Sequence, residues 1–248
     1  FSDKVISNEQ WLTTWQSRYS GLKVSPHAEG SEITSSRVFL QADVVETLCR
    51  KNPSLKRLHS YLANHLRSDN GGDIPYSFAT AVEEYEGYKL EPDEVILSDY
   101  SANRLGVTIG DVVTVSYFVA EDLKSLSTDS LTLRVKAILP LDKLHQDKGL
   151  SAEFPGLSDV ERCSEWDSDL PIDMDLITDE DEDYWYKYKQ TPKALIAYSA
   201  VAEDWASDYG TATALRSDVS AEDIRISDLQ PQMFGLQLLH PREDALYA

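Results

Sequence analysis

Two alternating runs near the middle of the chain constrain its fold more than anything else in it. Val113, Val115, Tyr117 and Val119 alternate with Thr114, Ser116 and Phe118; Leu131, Leu133, Val135, Ala137 and Leu139 then alternate with Thr132, Arg134 and Lys136. Successive side chains of a strand point to opposite faces, so a period of two describes strands with one buried and one wetter face. Two such runs around a polar connection predict an antiparallel hairpin. An isolated hairpin is marginal in water, so further strands or helices have to cover its apolar face.

The rest of the chain supplies candidates. Ser7 with Gln10 has the spacing of a capping box, and Trp11, Trp15 and Tyr19 recur every four residues, which predicts an amphipathic helix over 8–19. Residues 37–40 read as a short strand. Asp43 precedes a helical face of Val44, Val45, Leu48 and Cys49 that Asn52-Pro53 closes. Leu55, Leu58, Leu62 and Leu66 fit a helical stripe. The same segment also runs into Asp69-Asn70-Gly71-Gly72, a hairpin signal, with an extended Ile74–Val82 beyond it. Periodicity favours helix for 55–66 without excluding a strand. Val95-Ile96-Leu97 is a strand, Ser101–Leu105 about one helical turn stopped by Gly106, and Gly110-Asp111 a turn. Towards the end, a strand at 194–198, a helix at 200–209 stopped by Gly210 and a strand at 211–216 make a β-α-β unit. Between them, 141–192 has little periodicity and many acids. It reads as a loop excursion anchored by Trp166, Tyr184 and Trp185.

Forty-three acids against 23 bases give a net charge of −20. Such a surface repels phosphate backbones, so nucleic-acid binding is not expected. No apolar run reaches the ~18–20 residues of a membrane helix. The chain opens at Phe1 with no leader-like start, as if a leader had been removed or both ends trimmed. Cys49 and Cys163 are too few and too far apart for a disulfide scaffold or a zinc site. There is no phosphate-binding Gly-rich loop ending in Lys-Ser/Thr, no Gly-x-Ser-x-Gly and no His-Glu-x-x-His. His27, His59, His65, His145 and His240 are scattered, and His59 and His65 read as surface or interface groups. Asp167, Asp169, Asp173 and Asp175, followed by the acids 179–183, offer the oxygen ligands calcium prefers. No register, however, supplies both the glycine and the glutamate of an EF-hand loop. They read as a solvated face, with some acids capping Tyr184-Trp185-Tyr186 or pairing with Lys187, Lys189 and Lys193. No catalytic, cofactor-binding or metal-binding residue is nominated, and no cofactor is expected. A hydrolase built on paired carboxylates finds no particular pair among so many acids.

Four segments together resemble the extracytoplasmic region of FtsX-like permeases, relatives of the MacB-like periplasmic domain. They are Ile74-Pro75-Tyr76-Ser77-Phe78; Asp93–Leu97 leading into Leu105–Val113; Phe154–Leu157 with Cys163, Trp166-Asp167, Leu170–Asp173, Asp181–Trp185 and Thr191–Ala194; and Phe234–Leu236 with Pro241–Glu243, which looks like the approach to a membrane helix. The resemblance implies an α+β fold: a porter-like layer of two β-α-β units with an inserted smaller β-rich subdomain. It turns 55–66 into a strand and divides the chain into 1–89, a 90–190 insert and 191–248. Cys49 and Cys163 would then lie in different subdomains and stay unbonded. It implies a non-catalytic part of an ABC transporter, on the periplasmic or extracytoplasmic face of a bacterial inner membrane. Its partners would be an ABC ATPase subunit and the membrane helices of the full-length protein, with a second permease copy also admitted; the transported substrate is open. The competing reading is a secreted or surface-anchored binding module with calcium-supported acidic loops.

Overall fold

A computed structural model describes residues 19–28, 30–120, 125–166, 170–224, 226 and 229–236. The helix expected at 8–19, Tyr19 apart, and the segments Asp167–Asp169 and Pro241–Glu243 lie outside the described residues. Among the described residues the strands are β1 (Leu22–His27), β2 (Gly30–Ser35), β3 (Lys56–Ser68), β4 (Asp73–Val82), β5 (Glu84–Tyr85), β6 (Tyr88–Lys89), β7 (Glu94–Ser98), β8 (Val112–Ala120), β9 (Leu126–Leu139), β10 (Ala194–Ala197) and β11 (Ala214–Ser217). The helices are α1 (Ala42–Lys51), α2 (Asp99–Leu105), α3 (Leu141–Gln146), α4 (Asp179–Tyr188) and α5 (Tyr198–Val201). The fold is α+β, dominated by sheet, and no helix among the described residues is long and apolar enough to cross a membrane.

Nine strands form one sheet in the order β1-β2-β11-β3-β4-β10-β7-β9-β8, and β8 also pairs with β3. The strands from β3 to β8 in that order therefore close on themselves as a barrel, and β11-β2-β1 extends from it as a flange. Closure removes sheet edges that would otherwise stand unpaired. One strand makes it possible. β3 is 13 residues long: Lys56, Arg57 and Leu58 pair with β11 on one edge, and further along that edge residues 63–68 pair with β8. A bulge at Asn64, opposite Tyr76, shifts the register. It turns the face over, so that Ala63 and Leu66 on one strand, and Ala79 and Ile74 on the other, enter the same core. Tyr76 adopts φ +34°, a left-handed value uncommon for a non-glycine residue.

The barrel interior is filled by Val95, Leu97, Val113, Val115, Tyr117, Leu133, Val135, Ala194 and Ile196, with Trp205 among them. Val113, Val115, Tyr117, Leu133 and Val135 are in-facing positions of the alternating runs. The hairpin is present as β8–β9 with 113–119 opposite 127–133, while Ala137 and Leu139, on the part of β9 that pairs with β7, belong to a separate cluster. Residues 55–66 are a strand, as the resemblance implied, and 58–66 shares the sheet with the strand after Gly210. β10 and β11 run in the same direction with β4 and β3 between them; β2 and β3 do so with β11 between. The crossovers β2–α1–β3 and β10–α5–β11 are thus interleaved.

Three expectations need correction. Residues 37–40 are a turn: Val38 sits at φ +70°, incompatible with a strand. Only Leu40 makes a β-bridge, outside the sheet, its N–H donating to Ala212 O at 2.7 Å and its carbonyl accepting from Thr211 N at 3.0 Å. The strand feeding α1 is instead β2. The helix expected over 200–209 is confined to Tyr198–Val201, because Trp205 turns into the barrel to stack on Tyr61 at 4.7 Å. Ser207 and Gly210 then exchange backbone bonds in a tight turn. Finally, the excursion is not all loop, since it contains α3 and α4.

Candidate functional site

The excursion is held on the outside of β3 and β4 by a hydrophobic cluster of Leu62, Phe78, Leu157, Cys163 and Trp185, with Phe154, Trp166, Leu170, Ile172 and Ile177 packed against it. Trp166 meets Trp185 edge-on at 4.9 Å, and Trp185 lies 6.2 Å from Phe78. Tyr184 and Trp185 are buried and Trp166 is half-buried. The three rings expected to anchor the segment do so, each buried aromatic being worth about 1.5–3 kcal/mol.

α4 explains the acid run. Thr178 caps it, and Asp181 reaches back to the Thr178 N–H in a reciprocal capping box. Asp179, Glu180, Asp181 and Glu182 fill the first turn, where the helix dipole favours carboxylates. Asp181 then does more than cap. Arg104 of α2 donates to both its oxygens, the Nη2–Oδ2 bond measuring 3.0 Å, and Lys193 Nζ lies 3.7 Å from Oδ1. The Lys193 ammonium sits over the Tyr184 ring at 4.3 Å and the Tyr100 ring at 5.5 Å. Asp181 and Lys193 side chains are each 4% exposed. Burial pushes Lys193 down to about 8 despite the carboxylate beside it. Asp181 is held below its ordinary value by bonds from Arg104 and Thr178, against burial, which raises it. Burial, with Glu182 nearby, drives the Cys163 thiol up to about 12. The cavity at this point is only about 10 Å3, too small for a ligand. The cluster is a lock joining α4, α2 and the residue that leads into β10.

A second charged junction ties the start of the excursion to the flange. Arg216 of β11 donates to both oxygens of Asp147, at 2.9 Å for Nη1, and from Nε to Glu32 of β2 at 2.8 Å. Gly149 packs so closely that a Cβ there would overlap the Glu32 carboxylate and the Arg216 guanidinium. Beside this clamp opens a cleft of about 720 Å3 between the flange and residues 148–159. A neighbouring cavity of about 260 Å3 meets it at Lys148, Ser151, Glu153 and Ser158. In the smaller cavity, Thr191 Oγ1 donates to Tyr188 O at 2.6 Å and is 2.7 Å from His145 Nδ1. The hydroxyl proton being committed, Nδ1–H is the donor and Nε2 is left to accept from Lys148 Nζ at 3.1 Å. Burial and the Lys148 charge both lower the His145 pKa, in keeping with a neutral ring.

Of the residues singled out in the sequence, Asp181 pairs with Lys193 as foreseen, whereas Lys189 donates to Val160 O and lies over Trp185 instead of meeting an acid. Asp173 accepts from Asp175 N within its own turn. Among the described residues no three His, Cys, Asp or Glu side chains gather as metal ligands. Both described cysteines are free thiols. His65 pairs with Asp73 at 2.8 Å. His59 is not a surface group: it is 1% exposed, lies edge-on to Trp205 and is lowered by burial to about 4. Arg104, Gly149 and Arg216 were not anticipated. The Thr178-Asp-Glu-Asp181 box was readable as a helix start, while no local pattern marks the two arginines.

The class these features define is an α+β domain with a closed sheet, a locked acidic excursion and a polar cleft. No protein-family model matches the chain, and no curated protein matches it. Among solved structures, it is similar to the crystal structure of a domain of a "putative Permease protein" from Porphyromonas gingivalis, at 10% identity and a TM-score of 0.34. The match covers 77% of this chain and 63% of that one, so the chain spans less than two thirds of that neighbour's length.

Proposed function

We propose that this chain is a non-catalytic extracytoplasmic domain of an ABC-transporter permease of the FtsX-like, MacB-like kind. It would transmit ATP-driven motion of membrane helices or engage a substrate or partner outside the membrane. The observation that supports this most is spatial. The segments carrying the resemblance are far apart in sequence, yet Phe78, Leu157, Cys163, Trp166, Leu170, Ile172 and Trp185 meet in one cluster. The Lys193 N–H donates to Phe78 O at 2.8 Å, and the Asp173 N–H to Tyr76 OH at 2.8 Å. Odd sequence features that assemble into one body are what a shared architecture requires.

In this reading the flange, α1 and the two interleaved crossovers correspond to the porter-like layer, and residues 90–190 to the insert. Leu22 and Val24 of the first described strand share a core with Met233, Phe234 and Leu236 at the other end, so both ends act on one rigid face. A domain that passes on motion needs that attachment. The ATPase subunit, the membrane helices and a periplasmic location belong to the same proposal. The test is the full-length gene and its product. In the full-length product apolar spans of about 20 residues should flank these 248 residues, and the purified protein should bring down a P-loop ATPase. A full-length product with no such span, or one that purifies without an ATPase, rules the reading out.

A further inference from the structure

The Asp69-Asn70-Gly71-Gly72 turn between β3 and β4 places an asparagine directly before a glycine at an exposed tip. Gly71 has to be a glycine: its φ is +86°, and its N–H closes the turn on Ser68 O at 3.1 Å. Asn70 uses its side-chain amide to dock the turn on the far end of α2. Its Nδ2 donates to Gly106 O at 2.8 Å, beside a bond of 2.6 Å from Ser68 Oγ to Leu105 O. Gly72 completes the seat, packing so closely that a Cβ there would overlap the Leu105 backbone.

These two requirements together create a chemical weakness. The main-chain nitrogen that follows an asparagine can attack the side-chain carbonyl carbon, and Gly71, with no side chain, leaves that nitrogen unshielded. A bond from Gly71 N to Asn70 Cγ forms as the Cγ–Nδ2 bond breaks, and the Gly71 proton leaves with the side-chain nitrogen as ammonia. Water then opens the succinimide ring. Opening at Cγ gives aspartate; opening at the main-chain carbonyl gives isoaspartate, whose backbone is one carbon longer. Neither step changes an oxidation state. The other described asparagines are poorly placed for this chemistry. Asn52 precedes Pro53, which has no N–H, Asn64 is 5% exposed within β3, and Asn103 lies inside α2 before Arg104. We propose that Asn70 is a self-modification site that converts with time to aspartate and isoaspartate, and that conversion undocks the β3–β4 turn from α2. Either product loses the Nδ2 donor and sets a carboxylate, next to that of Asp69, against the Gly106 carbonyl oxygen. The longer isoaspartate backbone also displaces the Gly71 N–H from Ser68 O. The site stands apart from the transport reading, since it needs no partner.

The test is peptide mapping of the 248-residue chain after incubation at mildly alkaline pH, native and in urea. Trypsin cuts after Arg67 and Lys89, and the only side-chain amide in residues 68–89 is that of Asn70, so an amide-to-acid mass gain in that peptide is assigned to it. The native chain should yield two products of equal mass, one of them methylated by an isoaspartyl methyltransferase. Conversion should run several-fold slower than in urea, because the Gly71 N–H and Asn70 Nδ2 are both bonded in the fold. The structural consequence is read on Asn70→Asp, an exposed position whose change spares the fold. Hydrogen exchange at the Gly71 and Gly72 amides, which bond Ser68, should quicken by up to about tenfold, the equivalent of one hydrogen bond. A native chain that gains no mass at this peptide while the chain in urea converts fully overturns the proposal. So does a mass gain without isoaspartate, or exchange at Gly71 and Gly72 that Asn70→Asp leaves unchanged.

Discussion

Asp181→Asn tests the lock between the excursion and the barrel. At neutral pH the wild-type protein buries an ammonium, a guanidinium and one carboxylate together. Lowering Lys193 from the ordinary 10.5 to about 8 means that the charged lysine already opposes folding, by about 3 kcal/mol at 1.36 kcal/mol per pKa unit. Removing the carboxylate's charge cannot add much more on that account, because Lys193 would shed its proton. At pH 7 that caps its further cost at about 1.5 kcal/mol. The larger loss is Arg104, which keeps at most one of its two bonds to residue 181. Together these put Asp181→Asn at about 3–5 kcal/mol, the scale of a broken buried pair. Lys193→Met should behave oppositely. It removes the buried charge while Asp181 keeps Arg104 and Thr178, so stability should stay within about 1 kcal/mol of wild type or rise. The pH dependence has a definite sign. Between about 8 and 10.5 the unfolded lysine holds a proton that the folded one has lost. Wild-type stability therefore rises with pH relative to Lys193→Met across that window. Urea unfolding followed by tryptophan fluorescence measures all three. A loss below about 1 kcal/mol for Asp181→Asn, or a larger loss for Lys193→Met than for Asp181→Asn, refutes the reasoning.

Cys163, with its thiol pushed up to about 12 and 2% exposed, should resist thiol reagents at pH 8 in the native state and react once urea is added; prompt native labelling would contradict its burial. Gly149→Ala places a methyl group against Glu32 and Arg216 and should cost about 1–3 kcal/mol by overpacking, read from urea midpoints. His59, lowered to about 4, binds fewer protons folded than unfolded below pH 6.5. Stability should accordingly fall by up to about 3 kcal/mol as pH drops from 6.5 to 4, and His59→Phe should flatten that part of the profile.

The parts of the fold that were legible are those where local chemistry and tertiary packing agree. Alternation placed β8 and β9, glycine punctuation placed the 69–72 turn and the end of α2, and Asp43 with its apolar stripe placed α1. The β1–β2 hairpin was not legible because Leu22, Val24 and Ile33 are nearly its whole apolar content. It is held by the core it shares with α1 and β11. Periodicity misled over 55–66 for a physical reason. Leu58 and Leu62 face one side of β3 and, past the bulge at Asn64, Leu66 enters the barrel core. A four-residue spacing of leucines emerged from a strand that changes face, with no helix involved.

The acidic excursion shows why charge composition alone misses a site. Read as composition, residues 179–183 are a wet, ligand-free face. In three dimensions one acid of that run turns inward to bind a guanidinium and an ammonium supplied by distant elements, while its neighbours serve the helix dipole. The choice of acid follows from geometry. Asp181 occupies the third position after the Thr178 cap, the position from which a side chain folds back over the helix start. On α4 that direction points at Arg104 and Lys193. The same logic separates the two junctions of the excursion. Around Asp181 two cations meet one acid in a sealed space that leaves no room for a ligand. Around Arg216 two acids meet one cation beside an open cleft that Lys23, Lys148, Glu153 and Asp159 also line.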